Sequence, residues 1–176
     1  DKDSASDYAR TKAEAEAAVF ETVKDAIILR PSIIFGPEDG FFNKFAGMAT
    51  LAPALPLIGG GETKFQPVYV GDVAEAIARS VDGTVEGGKV HELGGPDVRS
   101  FKELMQDMLA VIERKRLLVP LPFWAAKIIG SVAGLLPSPV LTRDQVTLLE
   151  SDNVVSDKAK KDGRTLEGLG IAPTAM

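Results

Sequence analysis

The sequence predicts an α/β fold with a largely parallel sheet, and three observations carry that prediction. Short apolar runs alternate with longer stretches of helical period. The clearest run, "AIILR" at residues 26–30, is apolar without alternation, as in a strand covered on both faces. The 176 residues are 45% hydrophobic and 26% charged, a globular balance with enough chain for a real core.

The elements follow in order. Ser6 or Asp7 can cap a first helix, in which Tyr8, Lys12, Ala15, Val19 and Val23 recur at helical spacing. "AIILR" ends at Pro31, and "PSIIFGPEDG" reads as a loop fixed by Pro31, Gly36 and Pro37. "FFNKFAGMATL" reads as a short helix and "PLIGGGETK" as a mobile turn. "FQPVYV" is a strand. "GDVAEAIARSV" is a helix with Asp72 as its cap and Val73, Ala76, Ile77 and Val81 on its buried face.

"KVHELGG" is the next strand, with His91 expected to have one nitrogen satisfied. "SFKELMQDMLAVIERK" is a strong amphipathic helix, because Ser100 and Glu103 make a capping box. "RLLVPLP" is a further strand. Two helices follow, "FWAAKIIGSVAGLL" and "LTRDQVTLLESD", and the stretch 116–152 is expected to form a small helical subdomain. The first of these two is apolar nearly all round, with Lys127 its only charge, so it reads as buried, with docking on a partner subunit or a membrane surface as the other reading, and Phe123 and Trp124 read as core. The last 24 residues are polar and are expected to wrap the surface.

Composition excludes several chemistries. There is no cysteine, which removes disulfides, thiolate metal sites and cysteine nucleophiles, and a single histidine rules out a multi-histidine metal site. A net charge of −5 and no basic cluster argue against nucleic acid. The longest apolar run, residues 117–137, is broken by Pro120 and Pro122, and what remains is shorter than the roughly 20 residues of a bilayer span. Gly59-Gly60-Gly61 precedes no helix and no Gly-Lys-Ser/Thr, so it is not a phosphate loop.

The chemistry on offer is Tyr8 and Lys12. At i and i+4 they lie on one helix face, one turn apart. An ammonium beside a phenol favours the phenolate, and such a tyrosine can exchange a proton with a carbinol or carbonyl oxygen. Tyr-x-x-x-Lys alone is common in ordinary helices, and the context gives it weight. "YARTKAEAE", then "ILRPSIIFGP", then "FQPVYVGDVAEAIA" is an ordered set. It resembles the extended short-chain dehydrogenase/reductase superfamily, the NAD-dependent epimerase/dehydratase group, over nearly all of the chain. "DAIILRPSIIFGPEDGFFNKFA", "LPLIGGGETKFQPVYVGDVAEAI" and "LTRDQVTLLESDNVV" look most like one atypical branch, the accessory NAD(P)H-binding subunits of respiratory NADH:ubiquinone oxidoreductase (complex I) and their bacterial relatives.

The resemblance implies the C-terminal part of a Rossmann-like, doubly wound parallel sheet with a small helical C-terminal subdomain. It implies NAD or NADP as cofactor. Tyr8 would match the catalytic tyrosine, and Lys12 the lysine on the nicotinamide ribose. Pro31 and Ile34 fall where loop backbone lies against the carboxamide. Ile33 stands where sugar-nucleotide enzymes often carry Asn, and an apolar residue there counts against such a substrate. Lys64 falls where many members place a base near a substrate phosphate, though it reads equally as a solvated turn lysine.

The family's Ser or Thr upstream of the tyrosine and its Gly-x-Gly-x-x-Gly turn are not in this sequence. The chain is therefore expected to be one incomplete domain, residues 1–176, from a larger protein whose other half holds the pyrophosphate. Two readings stand. In one, the protein is an accessory complex I subunit with a structural or regulatory dinucleotide, on the cytoplasmic face of a bacterial membrane or the matrix side in an organelle. In the other, it is an active oxidoreductase, epimerase or dehydratase with a Tyr-Lys proton relay.

Overall fold

The computed structural model describes residues 2–133 and 141–176. Helices and short parallel strands alternate: α1 (Asp7–Thr22), β1 (Ile27–Pro31), β2 (Ile34–Phe35), α2 (Phe42–Leu51), β3 (Ala54–Ile58), β4 (Lys64–Phe65), β5 (Val68–Tyr69), α3 (Val70–Val81), β6 (Lys89–Leu93), β7 (Arg99–Ser100), α4 (Phe101–Val111), β8 (Leu117–Leu121), α5 (Phe123–Ala133), α6 (Arg143–Leu148) and α7 (Asp157–Lys161). The α/β class is as the sequence predicts. The chain divides into two units, each assembled from separate segments.

The first unit comprises Asp1–Glu14, Phe42–Lys64 and Ser100–Asp152. In it β3 pairs with β8 in parallel, from Ala54 opposite Leu117 to Ile58 opposite Leu121. The helix α4 lays Phe101, Leu104, Met105, Met108 and Leu109 into the core. Its capping box forms as the sequence requires: Ser100 Oγ accepts from Glu103 N, and the Glu103 carboxylate accepts from Ser100 N at 2.7 Å. Phe45 of α2 meets Phe101 edge-on, with ring centroids 5.4 Å apart. A second cluster, Ile58, Ala126 and Val146, joins β3 to α5 and α6.

The second unit comprises Ala15–Phe41, Phe65–Arg99 and Asn153–Met176. Here β1 pairs with β6, with Leu29 opposite His91, and β2 pairs with β5. Val68, Val73, Ala76, Leu93, Leu166 and Ile171 form the core, with Leu29 and Ile34 against it.

Several expectations change. β1 is half-buried to exposed along its length rather than covered on both faces. The "PSIIFGPEDG" loop contains β2, because Ile34 and Phe35 find partners in Val68 and Tyr69. "PLIGGG" is not a mobile turn: Leu57 and Ile58 end a buried strand, and Gly59–Gly61 form a tight 3-10 turn, with Gly61 buried. Asp72 does not cap α3. The helix starts at Val70, and the Asp72 carboxylate, inside its first turn, accepts from Thr174 N at 2.7 Å and Thr174 Oγ1 at 2.9 Å.

On α3 only Val73 and Ala76 of the expected face are buried; Ile77 and Val81 are exposed. The polar C-terminal stretch is not a surface wrap, since Val155, Ala159, Leu166 and Ile171 are core residues. On α5 Ala126 and Gly130 face inward, while Trp124, Ile128, Ile129 and Val132 are exposed, so neither the expected burial nor Trp124 as core holds. The expected continuation of that helix to residue 136 lies outside the described residues. Among the described residues no helix is long and apolar enough to cross a membrane.

Candidate functional site

Tyr8 and Lys12 stand in the first turns of α1, in the first unit. Both are exposed, Tyr8 to 56%. The Lys12 ammonium lies over the tyrosine ring, 5.5 Å from its centroid. One turn of helix thus presents a hydroxyl that can donate or accept and an ammonium with three donors, a pair suited to the hydroxyls of a sugar.

The start of α1 is fixed from two sides. Ser6, 1% exposed, is its cap: Ser6 Oγ accepts from Ala9 N at 3.2 Å, and Ser6 O accepts from Arg10 N at 3.1 Å. The Asp144 carboxylate, from the first turn of α6, accepts from Asp7 N at 2.8 Å, Tyr8 N at 3.3 Å and Ser6 Oγ at 3.0 Å. Lys64, also in the first unit, is exposed, and its backbone N–H donates to Asp152 Oδ1 at 2.8 Å.

Pro31, Ile33 and Ile34 lie in the second unit: Pro31 ends β1, Ile34 begins β2 and Ile33 stands between them. Ser32 holds this loop. Its N–H donates to Leu93 O at 2.9 Å and its Oγ to Asn153 O at 2.8 Å. Ile33 O accepts from Val68 N at 2.9 Å, and the Ile33 side chain is half-buried. Ile34 packs on the core. Pro31 borders a cavity of about 270 Å³ with Arg30, Ser32, Glu92, Asn153 and Ser156. Arg30 forks onto Glu16, with Nε to Oε1 at 2.8 Å, and that carboxylate raises the guanidinium's pKa.

Sequence reasoning missed Ser32, Gln66 and Asp144. Gln66 is buried; its Nε2 donates to Gly95 O at 2.7 Å, and its Oε1 accepts from Val155 N at 3.0 Å. The signal was Gly94-Gly95. A Cβ on Gly94 would meet Gln66 Cδ at 2.6 Å, and one on Gly95 would meet Pro67 O at 2.1 Å. For Asp144 the signal was the capping pattern Thr142-x-x-Gln145, which fixes where α6 begins.

A larger cavity, about 540 Å³, is lined by His91, Arg79, Lys89, Arg164 and acidic neighbours such as Glu75 and Asp162, and by none of Tyr8, Lys12, Pro31, Ile33, Ile34 or Lys64. His91 is 4% exposed, and among the described residues neither ring nitrogen has a partner, against the expectation of one satisfied nitrogen. Burial first, then the charges of Arg164 and Lys89, push its pKa down, so the ring is held neutral. Among the described residues no cluster of three or more His, Cys, Asp or Glu could hold a metal ion.

Comparison with known proteins gives consistent relatives. Residues 1–94 match the model of the 3-beta hydroxysteroid dehydrogenase/isomerase family. Over 162 residues the chain is 43% identical to NADH dehydrogenase (ubiquinone) 1 alpha subcomplex subunit 9, mitochondrial, of Arabidopsis thaliana, covering 86% of this chain and 40% of that protein. The protein of the same description from Mus musculus is 35% identical over 175 residues, covering 98% of this chain and 45% of its own length. A dTDP-glucose 4,6-dehydratase from Streptomyces venezuelae, solved with NAD bound, superposes with a TM-score of 0.60 at 17% identity, over 96% of this chain and 45% of that one. At that identity the likeness establishes the fold. The chain spans less than half the length of each of these relatives.

Proposed function

The chain belongs to the 3-beta hydroxysteroid dehydrogenase/isomerase family, and from that premise we propose that it is part of an accessory subunit of respiratory NADH:ubiquinone oxidoreductase that binds NAD or NADP. The observation that carries this reading is the 43% identity to the plant complex I subunit across 86% of the chain. In this reading the dinucleotide stabilises the subunit and its assembly with other complex I subunits, on the matrix side or, in a bacterium, the inner face of the membrane.

Each unit, taken by itself, holds residues that suit part of a nicotinamide nucleotide: Tyr8 and Lys12 in the first, the Pro31–Ile34 segment in the second. Lys12 offers donors to the ribose, and Tyr8 a hydroxyl beside it. The Pro31–Ile34 backbone, pinned through Ser32, offers a rigid edge to the carboxamide. Ile33 supplies no polar contact to a sugar substrate. Lys64, exposed, is free to meet a phosphate. The Gly59–Gly61 turn is packed against the chain, so it is no cradle for the pyrophosphate: a Cβ on Gly59 would enter the Phe123 ring at 2.2 Å.

The placement of the ammonium over the phenol supports one alternative, an active oxidoreductase, epimerase or dehydratase. When bound, a nicotinamide supplies or accepts hydride. Tyr8 would then hold or release the proton at its phenolic oxygen, with Lys12 one turn along the same helix. The two readings separate on the full-length subunit. The accessory reading expects dinucleotide to survive purification, to be lost in Lys12→Ala, and to show no turnover with sugar nucleotides or small alcohols. Turnover that Tyr8→Phe abolishes would instead establish the enzyme. Purified protein without dinucleotide, unchanged by Lys12→Ala, would end both.

A further inference from the structure

We propose that Asp144 is a positioning residue for the Tyr8–Lys12 pair: it clamps the backbone of Tyr8 to the start of α6 and so couples the C-terminal helices to the dinucleotide face. The proposal rests on the reading that this pair meets the nicotinamide ribose.

A helix leaves its first amides without partners, and they seek acceptors outside the helix. At α1 each one is accounted for. Ser6 takes the amides of Ala9 and Arg10. The remaining two, Asp7 and Tyr8, go to one carboxylate 137 and 136 residues away in sequence. That carboxylate also accepts from the buried Ser6 hydroxyl, so the cap residue and the two amides beyond it share one acceptor. Tyr8 is bonded through its own N–H, and Lys12 stands one turn further along the same rigid element.

Asp144 is itself fixed. Thr142 and Gln145 close a capping box around it, so its helix begins at one defined place. Val146 is fully buried with Ala126 and Ile58, which docks α6 on α5 and β3. The approach is possible because residue 130 is glycine: a Cβ there would stand 2.8 Å from Arg143 N. Packing on α5 therefore sets where Asp144 sits, and Asp144 sets where Tyr8 sits. An Asp is the suitable residue, because its negative charge meets the positive end of α1 as well as hydrogen-bonding to it.

The experiment uses the full-length subunit and reduced NADP(H), with NAD(H) in parallel. Hydrogen exchange is followed in peptides covering residues 5–12, with α3 as internal control. Asp144→Ala should speed exchange at Asp7 and Tyr8 and weaken dinucleotide binding, each by about five- to tenfold, with α3 unchanged. Asp144→Asn, which keeps one carbonyl acceptor, should lie between. Gly130→Ala should loosen the same amides without touching either partner. At saturating dinucleotide, the nicotinamide emission of Asp144→Ala should move toward that of free cofactor, a change that a general loss of stability would not produce.

Unaltered exchange at residues 7 and 8 in Asp144→Ala overturns the clamp. Faster exchange with affinity and emission as in the parent, while Lys12→Ala weakens binding, overturns the positioning role and leaves the dinucleotide reading standing. Unaltered affinity in Lys12→Ala as well overturns the dinucleotide reading, and with it any pair to be positioned. If Asp144→Ala does not fold, Asp144→Asn carries the same test with a smaller expected effect.

Discussion

The two units of this chain are built on different physics. The first is held by apolar contact: α4 alone places five side chains in its core, and its strands β3 and β8 pair beneath them. The second has an apolar core too, but buried polar side chains stitch it. Of the six buried polar residues among those described, Ser32, Gln66, Asp72, His91 and Thr165 belong to the second unit and only Ser6 to the first. Ser32, Gln66 and Asp72 each tie segments distant in sequence. Apolar contact is tolerant of rearrangement in small steps, whereas a buried polar stitch is either complete or costly. The second unit should therefore fail at single bonds, and the first by loss of volume.

The largest test of that contrast is in the first unit. Leu104, fully buried on α4, should cost about 3–5 kcal/mol on change to Ala, read from urea unfolding, through lost contact and the cavity left behind. In the second unit, Gln66→Leu keeps the apolar volume but orphans Gly95 O and Val155 N, and should cost about 2–3 kcal/mol. A smaller loss than about 1 kcal/mol there would mean that the stitch is dispensable.

Asp72→Ala should cost less, about 1–2 kcal/mol, because Thr174 lies toward solvent and can rehydrate. Its signature is local: faster hydrogen exchange at Thr174, with α4 untouched. The subtlest effect belongs to His91, whose pKa is lowered in the folded chain. Between the ordinary imidazole value of 6.5 and its lowered folded value, the unfolded chain holds more protons than the folded one. Stability of the second unit should thus be full above that range and fall as pH drops through 6.5. His91→Leu should flatten this slope, while the first unit keeps its own pH response.

The same contrast decides what the sequence could tell. α4 was legible because periodicity and a capping box are local signals, and both reappear unchanged in the structure. The Tyr8–Lys12 pair was legible for the same reason, being one helical turn. The C-terminal stretch was misread as a surface wrap because only one of its buried residues, Ala159, sits in an α-helix, the five-residue α7, so no continuous amphipathic element marks the others. Val155, Ala159, Leu166 and Ile171 are brought inward one at a time by turns and polar anchors such as Arg164 Nη1 to Val90 O. Asp72 was read as a cap because cap residues and interior anchors share a side chain, and only the position of Thr174 tells them apart. The capping pattern marks where α6 begins, but no window could find what Asp144 bonds to, since those partners lie more than 130 residues away.

The glycine triplet carries a consequence for anyone mutating this chain at random. All three residues have left-handed backbone, at φ of 62°, 74° and 80°. Yet their surroundings differ: the first abuts the Phe123 ring, the third lies against the backbone of Lys102, and the middle one faces little besides Glu62. A saturation scan should therefore return a sharp forbidden–permitted–forbidden signature over three adjacent codons, with asparagine the best survivor at the centre.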